Sequence, residues 1–177
     1  FEMALLKAVR GAEISMDTLN RKPDPEDEAP LSERLRRVDD HRLFTVFEAL
    51  KSGVSVEEIH DITKIDRWFL CKIQKLVDFE ATLSGDLTEE QYLRGKRLGY
   101  TDEALERLSG GKLPAHRDAV YKMVDTCGAE FDAETPYFYS SYDTVCESRA
   151  FPRSGRPVIM VLGSGPIRIG QGIEFDY

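Results

Sequence analysis

The sequence predicts a mainly α fold, an irregular set of short helices, closed by a short C-terminal strand and loop that begins an α/β unit. Three observations predict it. Capping signatures and glycine stops recur from Leu31 to Met123 at intervals too short for a simple bundle. Between them, apolar residues return at helical spacing. Near the C-terminus, Val158-Ile159-Met160-Val161-Leu162 is an unbroken apolar run followed by Gly163-Ser164-Gly165-Pro166, a strand of the kind covered on both faces and then a tight turn.

Taken in order, Leu5, Leu6 and Val9 give an opening helix. Gly11 to Pro30 reads as a linker and domain boundary, because Pro23, Pro25 and Pro30 stand among acidic residues and each proline restricts its predecessor to extended backbone. Leu43, Phe44, Val46, Phe47 and Leu50 share one helical face, with Gly53 as the stop. Ser55 and Glu58 form a capping box for a short helix ending near Lys64. Asp66 caps a longer helix in which Phe69, Ile73, Leu76 and Val77 are expected inward, Trp68, Leu70 and Phe79 widening the stripe, and Gly85 closing it. Thr88 and Gln91 make a second capping box with Gly99 as the stop. Thr101 or Asp102 starts another helix, ended by Gly110 and Gly111. Pro114 suits the first turn of a further helix through Lys122. From Thr135 to Tyr142 the chain is aromatic, hydroxylated and interrupted by proline, which predicts extended structure folded back over the helices. Phe151 to Pro157 is a second linker.

The 177 residues are long enough for one ordinary core plus flanking pieces. A net charge of -8 argues against a nucleic-acid or anionic-membrane surface. No apolar run approaches a bilayer-spanning length, and nothing resembles a signal peptide. Three widely spaced cysteines, Cys71, Cys127 and Cys146, fit reduced, buried thiols of a cytoplasmic protein, and no CxxC or His-x-x-x-His arrangement suggests zinc.

Candidate chemistry is sparse. The Gly163-x-Gly165 turn, with Gly170 and Gly172 beyond, could bring backbone amides to a phosphate, but no second strand supplies an acidic ribose partner, so the tight first turn of an α/β unit is the better reading. The two helices around Lys64 mimic a helix-turn-helix, yet the second opens with Trp68, Phe69 and Leu70 rather than the basic and polar groups that read a groove. His41, His60 and His116 stand alone, and Cys127 has no neighbouring histidine to activate it. The aromatic stretch from Phe131 to Tyr142 lacks interleaved Arg and Lys and suits core or interface more than base stacking.

Four blocks together resemble the large subunit of carbamoyl-phosphate synthase: Ile65-Asp66-Arg67-Trp68-Phe69-Leu70; Val120-Tyr121-Lys122-Met123-Val124-Asp125-Thr126-Cys127-Gly128-Ala129-Glu130-Phe131; Tyr137-Phe138-Tyr139-Ser140-Ser141-Tyr142; and Gly163 to Tyr177. The resemblance implies residues 1–20 as the end of a first ATP-grasp half, 21–150 as a helical oligomerisation domain, and 151–177 as the linker and first strand and loop of a second half, the pre-ATP-grasp unit. It implies a parent that makes carbamoyl phosphate from bicarbonate, glutamine-derived ammonia and two ATP, for pyrimidine and arginine synthesis, with ATP, Mg or Mn, and K as cofactors. Its implied partners are other copies of the large subunit and a glutaminase small subunit or domain; nucleic acid and membrane are not among them. In the terminal loop, Gly172 matches a position that keeps a tunnel for the unstable intermediate open, Glu174 matches a tunnel-facing carboxylate, and Arg168 lies in the same loop. Such a passage protects an intermediate by excluding water. The chain is accordingly expected to be an internal piece, inactive alone and without a cofactor of its own, with bare apolar patches where other parts would sit. The alternative is an isolated phosphate- or nucleotide-binding module working through the Gly163 to Gly172 loop.

Overall fold

The computed structural model describes residues 1–22, 27, 29–128, 130–131, 137–151 and 155–160. Its elements are α1 (Glu2–Gly11), α2 (Leu31–Arg34), α3 (Arg42–Lys51), α4 (Val56–Thr63), α5 (Arg67–Glu80), α6 (Glu89–Leu98), α7 (Asp102–Ser109), β1 (Val120–Met123), β2 (Phe138–Ser141) and a 3-10 turn (Glu147–Ala150). The fold is mainly α, and the sheet among the described residues is the antiparallel pair β1-β2.

Local chemistry sets the helix ends. Ser55 Oγ accepts from Glu58 N at 3.2 Å, Asp66 Oδ1 from Trp68 N at 2.7 Å, and Thr101 Oγ1 from Ala104 N at 3.1 Å. At Thr88 both halves of a capping box close, Gln91 N donating to Thr88 Oγ1 and Thr88 N to Gln91 Oε1. Each such cap satisfies first-turn amides that have no partner within the helix and contributes about 1 kcal/mol. Gly99 and Gly110 end α6 and α7 in the left-handed region that glycine enters without steric cost.

Helix α5 is central, packed by α1, α3 and α4. Its inner face presents Leu70, Ile73, Leu76, Val77 and Phe79 to one core that also takes Leu6 and Val9 of α1, Val46, Phe47 and Leu50 of α3, Ile59 of α4, and Tyr92, Tyr100 and Leu105 from the α6–α7 region. Each large apolar side chain buried here contributes about 1.5–3 kcal/mol. The stretch after α1 joins this core, with Thr18 and Leu19 buried.

Four expectations are corrected. Phe69 does not point inward but is 44% exposed. Helical spacing fits a stripe through either Phe69 or Leu70; α5 buries Leu70, and Phe69 lies against Phe1 and Trp68 instead. Gly85 does not close α5, which stops at Glu80, where the Thr82 hydroxyl takes the Phe79 carbonyl at 2.7 Å. Gly85 forms a parallel bridge with Gly110 and donates to Ser109 O at 2.8 Å. The helix expected through Lys122 is strand β1 from Val120 onward, because Ala115 to Ala119 offers no apolar face to bury and Val120 and Tyr121 find a partner strand. The cysteines are free, but Cys71 is exposed and Cys127 and Cys146 are half-buried rather than buried.

The β1-β2 ribbon pairs Val120 with Ser141 and Met123 with Phe138. Glu147 of the 3-10 turn secures it, accepting from Lys122 Nζ at 2.8 Å and Met123 N at 2.7 Å. As expected, the chain folds back on the helices, and Arg97 Nε donates to Tyr142 O at 3.1 Å. Val158, Ile159 and Met160 are exposed, and the rest of the expected C-terminal strand lies outside the described residues.

Candidate functional site

The residues singled out for chemistry in the C-terminal loop (Gly163, Gly165, Arg168, Gly170, Gly172 and Glu174) all lie outside the described residues. Among the described residues no group of three His, Cys, Asp or Glu side chains could hold a metal ion. No described helix is long and apolar enough to cross a membrane. The three histidines sit apart: His60 Nδ1 lies 2.7 Å from Ile65 O at the α4–α5 turn, His41 contacts Arg21, and exposed His116 lies 3.7 Å from Asp102. The described residues do show a buried carboxylate with several donors and exposed apolar side chains.

The main joint is Glu80, at the end of α5, whose side chain is only 4% exposed. Asn20 Nδ2 donates to both of its oxygens at 2.9 Å, Tyr100 Oη to Oε1 at 3.0 Å, and Lys51 Nζ to Oε2 at 3.3 Å. One buried carboxylate thus ties the stretch after α1, the end of α3 and the α6–α7 junction to α5. Burial, and then the Glu80 charge, push the Tyr100 hydroxyl well above its ordinary value. A carboxylate so enclosed is tolerated because each partner is a donor. No motif marked Glu80 in the sequence; it is the final residue of an otherwise apolar helix face.

A second joint fastens the ribbon. Lys96 Nζ meets Asp102 Oδ1 at 2.8 Å and lies 5.3 Å from the centre of the Tyr142 ring. Burial works to raise the Asp102 carboxyl, but the Lys96 hydrogen bond and charge outweigh it and hold Asp102 below the ordinary value. For Lys96, burial works downward and Asp102 outweighs it upward.

Two apolar features lie apart from these joints. Phe1, Trp68 and Phe69 form an aromatic platform with ring centres 5.0–5.6 Å apart, Trp68 being 52% exposed. Lys72 Nζ lies 5.1 Å from the Trp68 ring centre. Around the C-terminal end of α1, a groove of about 480 Å³ opens against α3, lined by Leu5, Val9, Ile14, Met16, Leu43 and Phe44. Of these lining residues Ile14 is exposed, Val9 belongs to the core and the rest are half-buried. Phe69 belongs to the exposed platform instead of to the core.

The chain matches known proteins over its whole length. Residues 1–126 match the family model described as carbamoyl-phosphate synthetase large chain, oligomerisation domain. Residues 155–177 match the one described as carbamoyl phosphate synthase preATP-grasp domain. The carbamoyl phosphate synthase large chain of Lachnoclostridium phytofermentans is 43% identical, covering 100% of this chain and 17% of its own. That of Methanothrix thermoacetophila is 42% identical with the same coverage, and that of Methanothermobacter thermautotrophicus is 41% identical over 99% of this chain and 17% of its own. The chain thus spans about one sixth of the length of these relatives.

Proposed function

The chain belongs to the carbamoyl-phosphate synthase large-chain family, in its oligomerisation domain, and from that membership we propose that it is an assembly and spacer segment of an ATP-dependent carbon–nitrogen ligase. The observation that carries the reading is the match to the oligomerisation domain over residues 1–126. In this reading the parent joins bicarbonate to glutamine-derived ammonia at the expense of two ATP, with Mg or Mn and K, and releases carbamoyl phosphate in the cytoplasm. A glutaminase subunit or domain supplies the ammonia. Residues 1–20 end the first catalytic half, 21–150 form the spacer, and 151–177 open the second half.

The segment itself supplies no catalytic group; it holds two catalytic halves in register and contacts other copies. The buried joint at Glu80 and the half-buried one at Lys96 suit that task, since they tie the helices and ribbon together. Arg168, Gly172 and Glu174 belong, in the same reading, to the loop lining an internal tunnel at the start of the second half.

Sedimentation of the chain over a wide concentration range tests the assembly role. Reversible dimers or tetramers are expected. A monomer at every concentration would remove the assembly role and leave only the spacer.

A further inference from the structure

The loop between α2 and α3 reads Arg36-Arg37-Val38-Asp39-Asp40, two cations, an apolar centre and two anions. Val38 is 83% exposed, the most exposed large hydrophobic residue of the helical body. A run of this kind is complementary to itself when reversed. A two-fold axis close to Val38 sets the cationic flank of one copy against the anionic flank of the other, which is how an isologous interface pairs its residues.

The outer flanking charges, Arg36 and Asp40, are both exposed. Arg36 donates to a backbone carbonyl, Ser32 O at 3.0 Å, and among the described residues no carboxylate is paired with it. Asp40 is exposed, its ion-pair contact being His41 Nε2 at 3.7 Å. Arg37, by contrast, is engaged by Asp27 at 2.7 Å within its own copy.

The α1–α3 groove supplies the seat. Its rim is formed by Asp40 and His41, so an apolar hollow of about 480 Å³ begins two residues from Val38. Close to a two-fold axis, the Val38 of one copy reaches the groove of the other, where Ile14, Met16, Leu43 and Phe44 exclude water from it.

We propose that the loop from Arg36 to Asp40 and the adjoining α1–α3 groove form a two-fold interface with a second copy of this chain. The inference rests on the assembly reading above and names the surface that carries it.

Sedimentation equilibrium on the full chain tests it with four variants, each first checked by circular dichroism for wild-type folding. Val38→Glu and Asp40→Lys are each expected to weaken self-association by at least about tenfold, since one places a charge in the apolar seat and the other faces Arg36 with a like charge. The double variant Arg36→Glu with Asp40→Lys restores opposite charges across the axis and is expected to return within about threefold of wild type. A wild-type chain that self-associates while Val38→Glu and Asp40→Lys behave like it overturns the proposal and leaves the assembly reading standing. Loss of association in Phe69→Glu alone would likewise overturn it by moving the interface to the platform. A wild-type chain that stays monomeric overturns the assembly reading and the interface together.

Discussion

Replacing Tyr100 by Phe isolates one bond of the Glu80 joint. The ring still packs on Phe79, at 5.3 Å between centres, while the 3.0 Å hydrogen bond to Glu80 Oε1 is lost. A hydrogen bond to a charged group contributes about 1.5–3 kcal/mol. Asn20 and Lys51 remain on the carboxylate, so the loss falls toward the lower end, about 1.5–2 kcal/mol. For a domain of this size the thermal midpoint then drops by about 3–8 °C. The pH dependence gives an independent reading. The folded state keeps the Tyr100 proton beyond the ordinary value of 10.0, which the unfolded chain does not. The Tyr100 contribution is therefore fully present below that value and is lost as pH rises above it, with a slope of at most about 1.4 kcal/mol per pH unit. Urea unfolding of both proteins at neutral pH and in steps above pH 10.0 separates this group from general alkaline effects. A variant whose midpoint lies within about 1 °C of wild type, with the same alkaline slope, would refute the assignment of Glu80 as the organising joint.

Two further outcomes follow from particular contacts. A Cβ at Gly111 would collide with the backbone carbonyl of Gly85 and the amide of Asp86. Backbone cannot yield as a side-chain tip can, so Gly111→Ala is expected to cost about 3 kcal/mol or more and lower the thermal midpoint by about 6–12 °C, whereas Gly11→Ala, with nothing within 4 Å, does not. Lys96→Met removes the ammonium that holds Tyr142 and Asp102, and amide hydrogen exchange in β2 is expected to quicken by roughly tenfold while α5 is unchanged. Because Asp102 is depressed below its ordinary 3.8, the wild-type joint holds above that value and loosens as pH falls through the lowered one; exchange that ignores both the substitution and acid would count against the joint.

The capped helix starts and the glycine stops of α6 and α7 were legible because they depend on a few neighbouring residues, whereas the end of α5 and the strand after Pro114 were not. Ser55, Asp66, Thr88 and Thr101 can satisfy first-turn amides wherever the chain goes, and Gly99 and Gly110 can turn left-handed without a partner elsewhere. The mainly α class follows from the same local signals. The blocks that resemble carbamoyl-phosphate synthase were equally legible, since identity and order survive without knowledge of contacts.

Tertiary structure decided what local rules leave degenerate. Stripes through Phe69 and through Leu70 both repeat at helical spacing, and only the position of the neighbouring helices selects Leu70 for the core and leaves Phe69 beside Phe1. Pro114 is as good a helix start as any, yet Val120 joins a strand because its partner, Ser141, lies twenty-one residues away in the chain. Glu80 looks like a solvated helix end until Asn20, Lys51 and Tyr100 are brought to it from distant positions. Caps and stops are read from bonds that close within a turn; the face a helix buries, and the charge it can bury with it, depend on groups that only folding brings near.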